Sequence, residues 1–169
     1  MKSIRCMVLL FAAAFFAPTA HAQIGIYAAG TGASLSNAGT SWGYGPLVGI
    51  YKQGGHAAGT VNLGADLRGS FISRDGFHFY TGAIGPRIAI KPHVIPLSPY
   101  VEGLIGVASY NSGTGTASST HLNYQVVGGL DATIFPHLDW RVVDVAYSGV
   151  ANQAIKAVTF STGLVLRLW

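Results

Sequence analysis

The sequence has few charged residues and a single cysteine. Charged side chains make up 9% of its 169 residues, whereas a soluble globular domain carries about 25%. So low a share excludes an ordinary hydrated surface, because a chain of this size must cover its exterior with something apolar or precipitate. Cys6 has no second cysteine to pair with, so an intramolecular disulfide is also excluded.

Long hydrophobic runs are missing from all but the start of the chain. An apolar stretch at 7–17 follows two basic residues and ends before small residues at 20 and 22, the pattern of a signal peptide with its cleavage site. Residues 1–22 are therefore predicted to be a signal peptide, and residues 23–169 an exported domain. No later window holds the ~18 apolar residues that a membrane helix needs, so we expect any membrane crossing to use strands.

Apolar and polar residues alternate in the exported part over lengths that suit membrane strands. The period of two is clearest at 122–134 and recurs at 61–71 and 158–168. Turn-forming residues divide the exported part into eight segments, each close to the ~9–11 residues that a membrane strand needs. The predicted strands are Ile24–Ser36, Tyr44–Gln53, Gly59–Phe71, His78–Ile90, Tyr100–Asn111, Leu122–Ile134, Leu138–Ser148 and Ala157–Trp169. The sequence thus predicts an all-β fold, an eight-stranded antiparallel up-and-down transmembrane β-barrel.

The composition of the polar face indicates which side of the barrel meets lipid. A soluble lipocalin-like barrel would show a charged exterior, but the polar faces here carry mainly Gly, Ser, Thr, Asn and Gln. Such residues fit a narrow lumen, and the glycines at 64, 106, 129 and 163 are predicted to be spacers inside it. The apolar face is predicted to contact outer-membrane lipid through Val61, Leu63, Leu67, Leu122, Tyr124, Val126, Leu130, Ile134, Phe160, Leu164, Leu166 and Leu168.

Charges inside the predicted strands form a nearly balanced set in which every cation is arginine. The set is Asp66, Arg68, Arg87, Glu102, Asp131, Asp139, Arg141, Asp144 and Arg167. Because arginine can bridge several carboxylates in a confined space, we predict that these residues form an ionic plug in the lumen. Asp144 joins the plug if a bulge near Val142 and Val143 resets the register, since it otherwise faces away from Arg141. Carboxylates beside arginines stay ionised, which favours this structural role over an ion path or a catalytic dyad.

Aromatic residues and prolines carry two further expectations. Aromatic rings near the predicted strand ends are expected to form girdles at the membrane interfaces. They are Tyr44, Tyr51, Phe77, Tyr80, Tyr100, Tyr110, Trp140, Tyr147 and Trp169. Pro46 and Pro86 are expected at bulges or strand starts, because proline removes a donor from the hydrogen-bond ladder.

No motif for catalysis, metal binding or nucleotide binding stands out. The histidines are scattered, and the only local serine–histidine pairing is His121 with Ser118 or Ser119. The exported part has no cysteine that could bind zinc. Its glycine-rich runs are not followed by the helix or the lysine that phosphate-binding loops use. The formal charge of +4 includes two basic residues of the signal peptide. We therefore expect no cofactor, no metal and no nucleic-acid partner, and a monomer that is not an enzyme.

The end of the chain carries a family resemblance. Residues 163–169 (GLVLRLW), a glycine followed by alternating apolar residues and a closing aromatic, resemble the C-terminal signal of outer-membrane barrels. The overall layout, including PYVEG at 99–103, is similar to the transmembrane domain of outer membrane protein A and to the opacity-type surface proteins. The resemblance implies the bacterial outer membrane, and recognition by its assembly machinery through Gly163, Leu166, Leu168 and Trp169. It leaves open a structural or surface-interaction role, a lipid A-modifying acyltransferase or deacylase, and a narrow pore.

Overall fold

The protein is an eight-stranded closed barrel. A computed structural model describes residues 23–36, 40–58, 60–74, 77–92, 95–112, 119–151 and 156–168. The strands are β1 (Gln23–Ser36), β2 (Thr40–Ala58), β3 (Val61–Arg74), β4 (Phe77–Ile90), β5 (Leu97–Ser112), β6 (Ser119–Phe135), β7 (Leu138–Val150) and β8 (Lys156–Arg167). Each strand pairs antiparallel with the next, and β1 pairs with β8. The predicted up-and-down β-barrel is confirmed, while the predicted signal peptide at 1–22 lies outside the described residues.

Within the described ranges, no helix is long and apolar enough to cross a membrane.

Several strands are longer than their turn signals predict. β2 continues past its predicted end at Gln53, through Gly54 and Gly55, and reaches Ala58. It does so through two register shifts against β3, one between Gly54 and His56 and one between His56 and Ala58. A bulge lets the ladder continue past an extra residue, so these glycines extend the hairpin instead of ending it.

Side chains alternate between the lumen and the outer wall. On β5, Glu102 and Leu104 are buried, whereas Val101 and Ile105 are exposed. Most of the predicted lipid-facing residues are exposed on the outer wall, namely Leu63, Leu67, Leu122, Tyr124, Val126, Ile134, Phe160, Leu164 and Leu166. Val61 and Leu130 are half-buried, and Leu168 is half-buried one residue beyond the end of β8.

The two strand prolines do not lie at bulges, so that expectation was wrong. On one side of Pro46 and of Pro86 the ladder is interrupted over two residues, with no change of register. The residue before each proline is a glycine, Gly45 or Gly85, at which a Cβ atom would overlap backbone of the neighbouring strand. The missing donor is therefore accommodated by a short gap in one ladder, where the backbones approach closely.

The candidate functional site in the barrel lumen

Three arginines and three carboxylates form a closed ring across the lumen. Each arginine bridges two carboxylates, and each carboxylate bridges two arginines. The order is Arg68, Glu102, Arg87, Asp131, Arg141, Asp144 and back to Arg68. Asp131 lies 3.0 Å from both Arg87 and Arg141, and the longest contact, between Arg141 and Asp144, is 3.7 Å. All six side chains are buried, so they neutralise one another away from bulk water.

A bulge in β7 gives the ring two of its members. Leu130 of β6 pairs with Val143 and Asp131 pairs with Arg141, which leaves Val142 as the extra residue. The ladder with β8 shifts at the same place, between Arg141 and Asp144. The bulge predicted near Val142 and Val143 is therefore present, and both Arg141 and Asp144 point inwards.

Asp66 is a fourth carboxylate attached to the ring. One of its oxygens accepts a hydrogen bond from the Tyr27 hydroxyl at 2.8 Å and lies 3.4 Å from Nε of Arg68. Its other oxygen, Oδ2, is buried and has no hydrogen-bond partner. We refer to the six ring residues together with Asp66 as the central network.

Three tyrosines pack against the guanidinium groups of the ring. The guanidinium carbon of Arg87 lies 3.7 Å from the Tyr100 ring centre and 4.4 Å from that of Tyr51. Arg141 lies 3.9 Å from the ring centre of Tyr27. Such cation–π contacts favour the charged guanidinium where water is excluded. The Tyr100 hydroxyl also donates a 2.6 Å hydrogen bond to Asp144.

These tyrosines correct the predicted aromatic girdle. Tyr51 and Tyr100 are 2% and 3% exposed and lie in the lumen, not at a membrane interface. The sequence contains the signal for Tyr100, because it is two residues from Glu102 and therefore lies on the same face of the strand. Tyr44, Tyr80, Trp140 and Tyr147 are exposed on the outer wall as predicted, while the side chains of Phe77, Tyr110 and Trp169 lie outside the described residues.

The lumen tyrosines lie over glycines of the neighbouring strand. Tyr27 pairs with Gly49, Tyr51 pairs with Gly25, and Tyr100 pairs with Gly129. A Cβ atom on any of these glycines would overlap the paired tyrosine ring. Gly129 is thus a spacer of the predicted kind. Gly64, Gly106 and Gly163 are also on the lumen face, where a Cβ atom would overlap neighbouring backbone.

The remaining two residues of the predicted plug form a separate pair. Arg167 lies 3.0 Å from Asp139 at the end of the barrel that carries the chain termini. Lys91, in the turn after β4, lines a cavity of about 360 Å³ there together with Arg167. Burial, and secondarily the charge of Arg167, lowers the pKa of Lys91. The predicted plug is therefore two groups, the central network and this pair at the barrel mouth, because β8 adds no ionisable side chain to the central layer.

An apolar layer, which the sequence analysis missed, lies at the opposite end of the lumen. It consists of Ala33, Ile72, Phe79, Ala108, Val150 and Ala157, and we call it the apolar cap. The alternation of side chains along the strands indicates this layer. Ile72 lies on the same face of β3 as Arg68, and Phe79 lies on the same face of β4 as Arg87. Between cap and network, hydroxyl and amide groups pair with one another, as in the 2.7 Å contacts Ser70–Thr81 and Asn123–Ser148. A cavity of about 20 Å³ in this layer has room for about one water molecule.

A serine–histidine pair lies outside the lumen. The Ser73 hydroxyl is 3.0 Å from Nδ1 of His78, and both side chains are exposed. The two residues oppose each other across the β3–β4 hairpin, and the His78 ring stacks on Tyr80. The sequence analysis considered only the neighbours of His121, and its third strand ended at Phe71, so it missed the cross-strand pairing of Ser73 with His78. Among the described residues, no three His, Cys, Asp or Glu side chains form a group suited to a metal ion.

Comparison with solved structures identifies outer-membrane barrels of similar shape. Neisserial surface protein A matches with a TM-score of 0.62 at 16% identity, over 85% of this chain and 96% of that chain. Ail, the attachment invasion locus protein of Yersinia pestis, in complex with the heparin analogue sucrose octasulfate, matches with a TM-score of 0.56 at 14% identity, over 88% and 99%. The outer membrane enzyme PagL matches with a TM-score of 0.55 at 16% identity, over 83% and 98%.

No family model matches the sequence, and no curated protein matches it. The similarity is therefore one of architecture, and it agrees with the resemblance in strand layout and C-terminal pattern. The chain has the fold of the eight-stranded β-barrels of the bacterial outer membrane.

Proposed function

We propose that the protein is a non-enzymatic outer-membrane barrel with a sealed lumen, which serves as a structural scaffold and presents its hairpins at the cell surface. Its outer wall supports this placement, because large apolar side chains such as Ile105, Leu122 and Val126 are more than half exposed and would meet hydrocarbon in a membrane. We place the barrel in the outer membrane because the structures that it matches come from there.

The ring is the observation that carries the proposal of a sealed lumen. It joins side chains from five strands, β3 to β7, while β1 and β2 contribute the packed tyrosines Tyr27 and Tyr51. An ion passing along the axis would have to break charge-assisted contacts that have no replacement partners at that level. Breaking a buried ion pair costs about 3–5 kcal/mol. The apolar cap adds a second barrier, since a narrow apolar constriction excludes water.

Planar-bilayer recording tests this proposal. The wild-type barrel is expected to give no single-channel steps. The double variant Arg87→Ala/Phe79→Ala, which opens the network and the cap together, is expected to give small steps. Lys156→Ala, an exposed site on β8, is the control and should stay silent. Regular steps from the wild-type protein would contradict a sealed lumen, and migration of boiled and unboiled samples on a gel shows whether each variant is folded.

The Ser73–His78 pair favours one second candidate, a hydrolase or transferase acting on lipid acyl esters. A histidine beside a serine hydroxyl is the minimum arrangement for nucleophilic catalysis, and an outward-facing pair would meet lipid directly. One of the matched barrels, PagL, is described as an outer membrane enzyme. Among the described residues no carboxylate contacts the His78 ring, which favours the scaffold. Mass spectra of lipid A from cells with wild-type protein, Ser73→Ala or no protein decide between them, because the enzyme predicts a mass change that Ser73→Ala abolishes.

A further inference from the structure

The charges of the central network do not balance if every group is ionised. The ring holds three guanidinium groups and three carboxylates, so it is neutral by itself. Asp66 adds a fourth carboxylate, and its side chain is fully buried. It contacts one arginine of the ring, through Nε of Arg68 alone. A fully ionised network would therefore carry one uncompensated negative charge inside the barrel.

Among the side chains that the structure describes, no other group on the surrounding strands supplies the missing positive charge. The charged and titratable side chains that face this layer are Tyr27 of β1, Tyr51 of β2, Arg68 of β3, Arg87 of β4, Tyr100 and Glu102 of β5, Asp131 of β6, and Arg141 and Asp144 of β7. Among the described residues of β8, Ser161, Gly163 and Val165 face the lumen in this layer. None of these three residues is charged. Lys91 and Arg167 lie at the barrel mouth beside Asp139.

A buried charge without a partner is unfavourable by several kcal/mol, even after relaxation. A carboxyl group avoids this cost when it takes up a proton and becomes neutral. A metal cation would need several converging oxygen ligands, and the described residues contain no such group. A proton needs only one free carboxylate oxygen. Oδ2 of Asp66 is such an oxygen, because it is buried and has no hydrogen-bond partner.

We propose that the central network binds one proton in the folded barrel, and that Asp66 carries it as a neutral carboxylic acid. The proton lies on Oδ2, while Oδ1 accepts the hydrogen bond from Tyr27. Each of the three ring carboxylates lies between two arginines, so the other charges of the network match in number. The network is then electrically neutral. This inference concerns the charge state of the lumen and holds whether or not the barrel conducts ions.

Infrared spectroscopy of the folded protein at neutral pH tests the assignment. The wild-type barrel is expected to show the carbonyl stretching band of a protonated carboxylic acid, which shifts in ²H₂O. Asp66→Asn removes that band, whereas Asp139→Asn, which lies outside the central network and leaves its charge unchanged, keeps the band. Absence of the band from the wild-type spectrum would overturn the proposal. Persistence of the band in Asp66→Asn would overturn the assignment to Asp66.

Equilibrium unfolding in detergent gives a second, independent readout. Asn reproduces a neutral Asp66, so Asp66→Asn should change the unfolding equilibrium constant by less than about tenfold, whereas Asp131→Asn should raise it by about a hundredfold or more. The folded wild-type barrel holds one proton more than the unfolded chain near neutral pH. Its unfolding constant relative to that of Asp66→Asn should therefore rise about tenfold per pH unit. A ratio that does not vary with pH, or one that varies with Na⁺ concentration instead, would contradict proton binding.

Discussion

Arg141 and Asp144 lie three residues apart on β7, yet both side chains point into the lumen and approach to 3.7 Å. In a regular strand an odd separation places two side chains on opposite faces. Val142 is the extra residue that restores their common orientation. In this sequence, the bulge at Val142 therefore keeps both side chains in the ring.

Deletion of Val142 is expected to leave the barrel able to fold. Without it, β7 becomes regular and Asp144 stays inside, because Arg141, Val143 and Asp144 then alternate inwards, outwards and inwards. Deletion of Val145, three residues further on in a regular stretch, reverses the orientation of all later residues of β7. Gel migration with and without boiling distinguishes the two, and equal folding of both deletions would contradict the assigned bulge.

Arg87→Met is expected to destabilise the barrel by about 3–5 kcal/mol, because it leaves the buried carboxylates of Glu102 and Asp131 without a shared cation. Urea unfolding in detergent micelles measures the loss. Arg74→Met, at an exposed site, is the control and should change stability by no more than about 0.5 kcal/mol. The double variant Arg87→Met/Glu102→Gln should lose less than the sum of its single variants, since it removes one charge of each sign. Strict additivity would show that the two side chains are not coupled.

Tyr100→Phe is expected to cost about 1.5–3 kcal/mol of unfolding free energy, the usual loss for a hydrogen bond to a charged group. It removes the donor to Asp144 and leaves the aromatic ring against Arg87 in place. Tyr80→Phe, on the exposed outer wall, is the matched control and should be close to neutral. An equal effect at both positions would mean that the Tyr100 hydroxyl makes no significant contribution to the network.

An arginine on the outer wall should cost more at mid-strand than near a turn. Ile105 is 66% exposed in the middle of β5, while Ile134 is 48% exposed next to the β6–β7 turn. In a membrane, Ile105→Arg is expected to cost about 2–4 kcal/mol and Ile134→Arg about 0–1 kcal/mol. Unfolding from lipid vesicles measures both values. A wall that faces water would give two small and similar values.

Most of the fold was predictable because each strand of a barrel wall alternates apolar and polar residues, and this period of two can be recognised in the sequence. The strand number, the outward apolar face and the inward charges all follow from that period. Strand ends were less predictable, because Gly54 and Gly55 permit a bulge as readily as a turn. The ring required more than parity, since which carboxylate pairs with which arginine depends on the register of five strands. Tyr51 was misplaced because its position near a predicted strand end was given more weight than its face.

The most direct test of the account is the solvent accessibility of spin labels at two adjacent residues of β5 in bilayer-reconstituted protein. On a Cys6→Ser background, a label at Ile105→Cys should collide with lipid-soluble oxygen far more often than with a water-soluble nickel complex. A label at Leu104→Cys, which lies in the lumen at 1% exposure, should be shielded from both reagents. Ready access of the nickel complex to either position would contradict a lipid-facing wall around a sealed lumen.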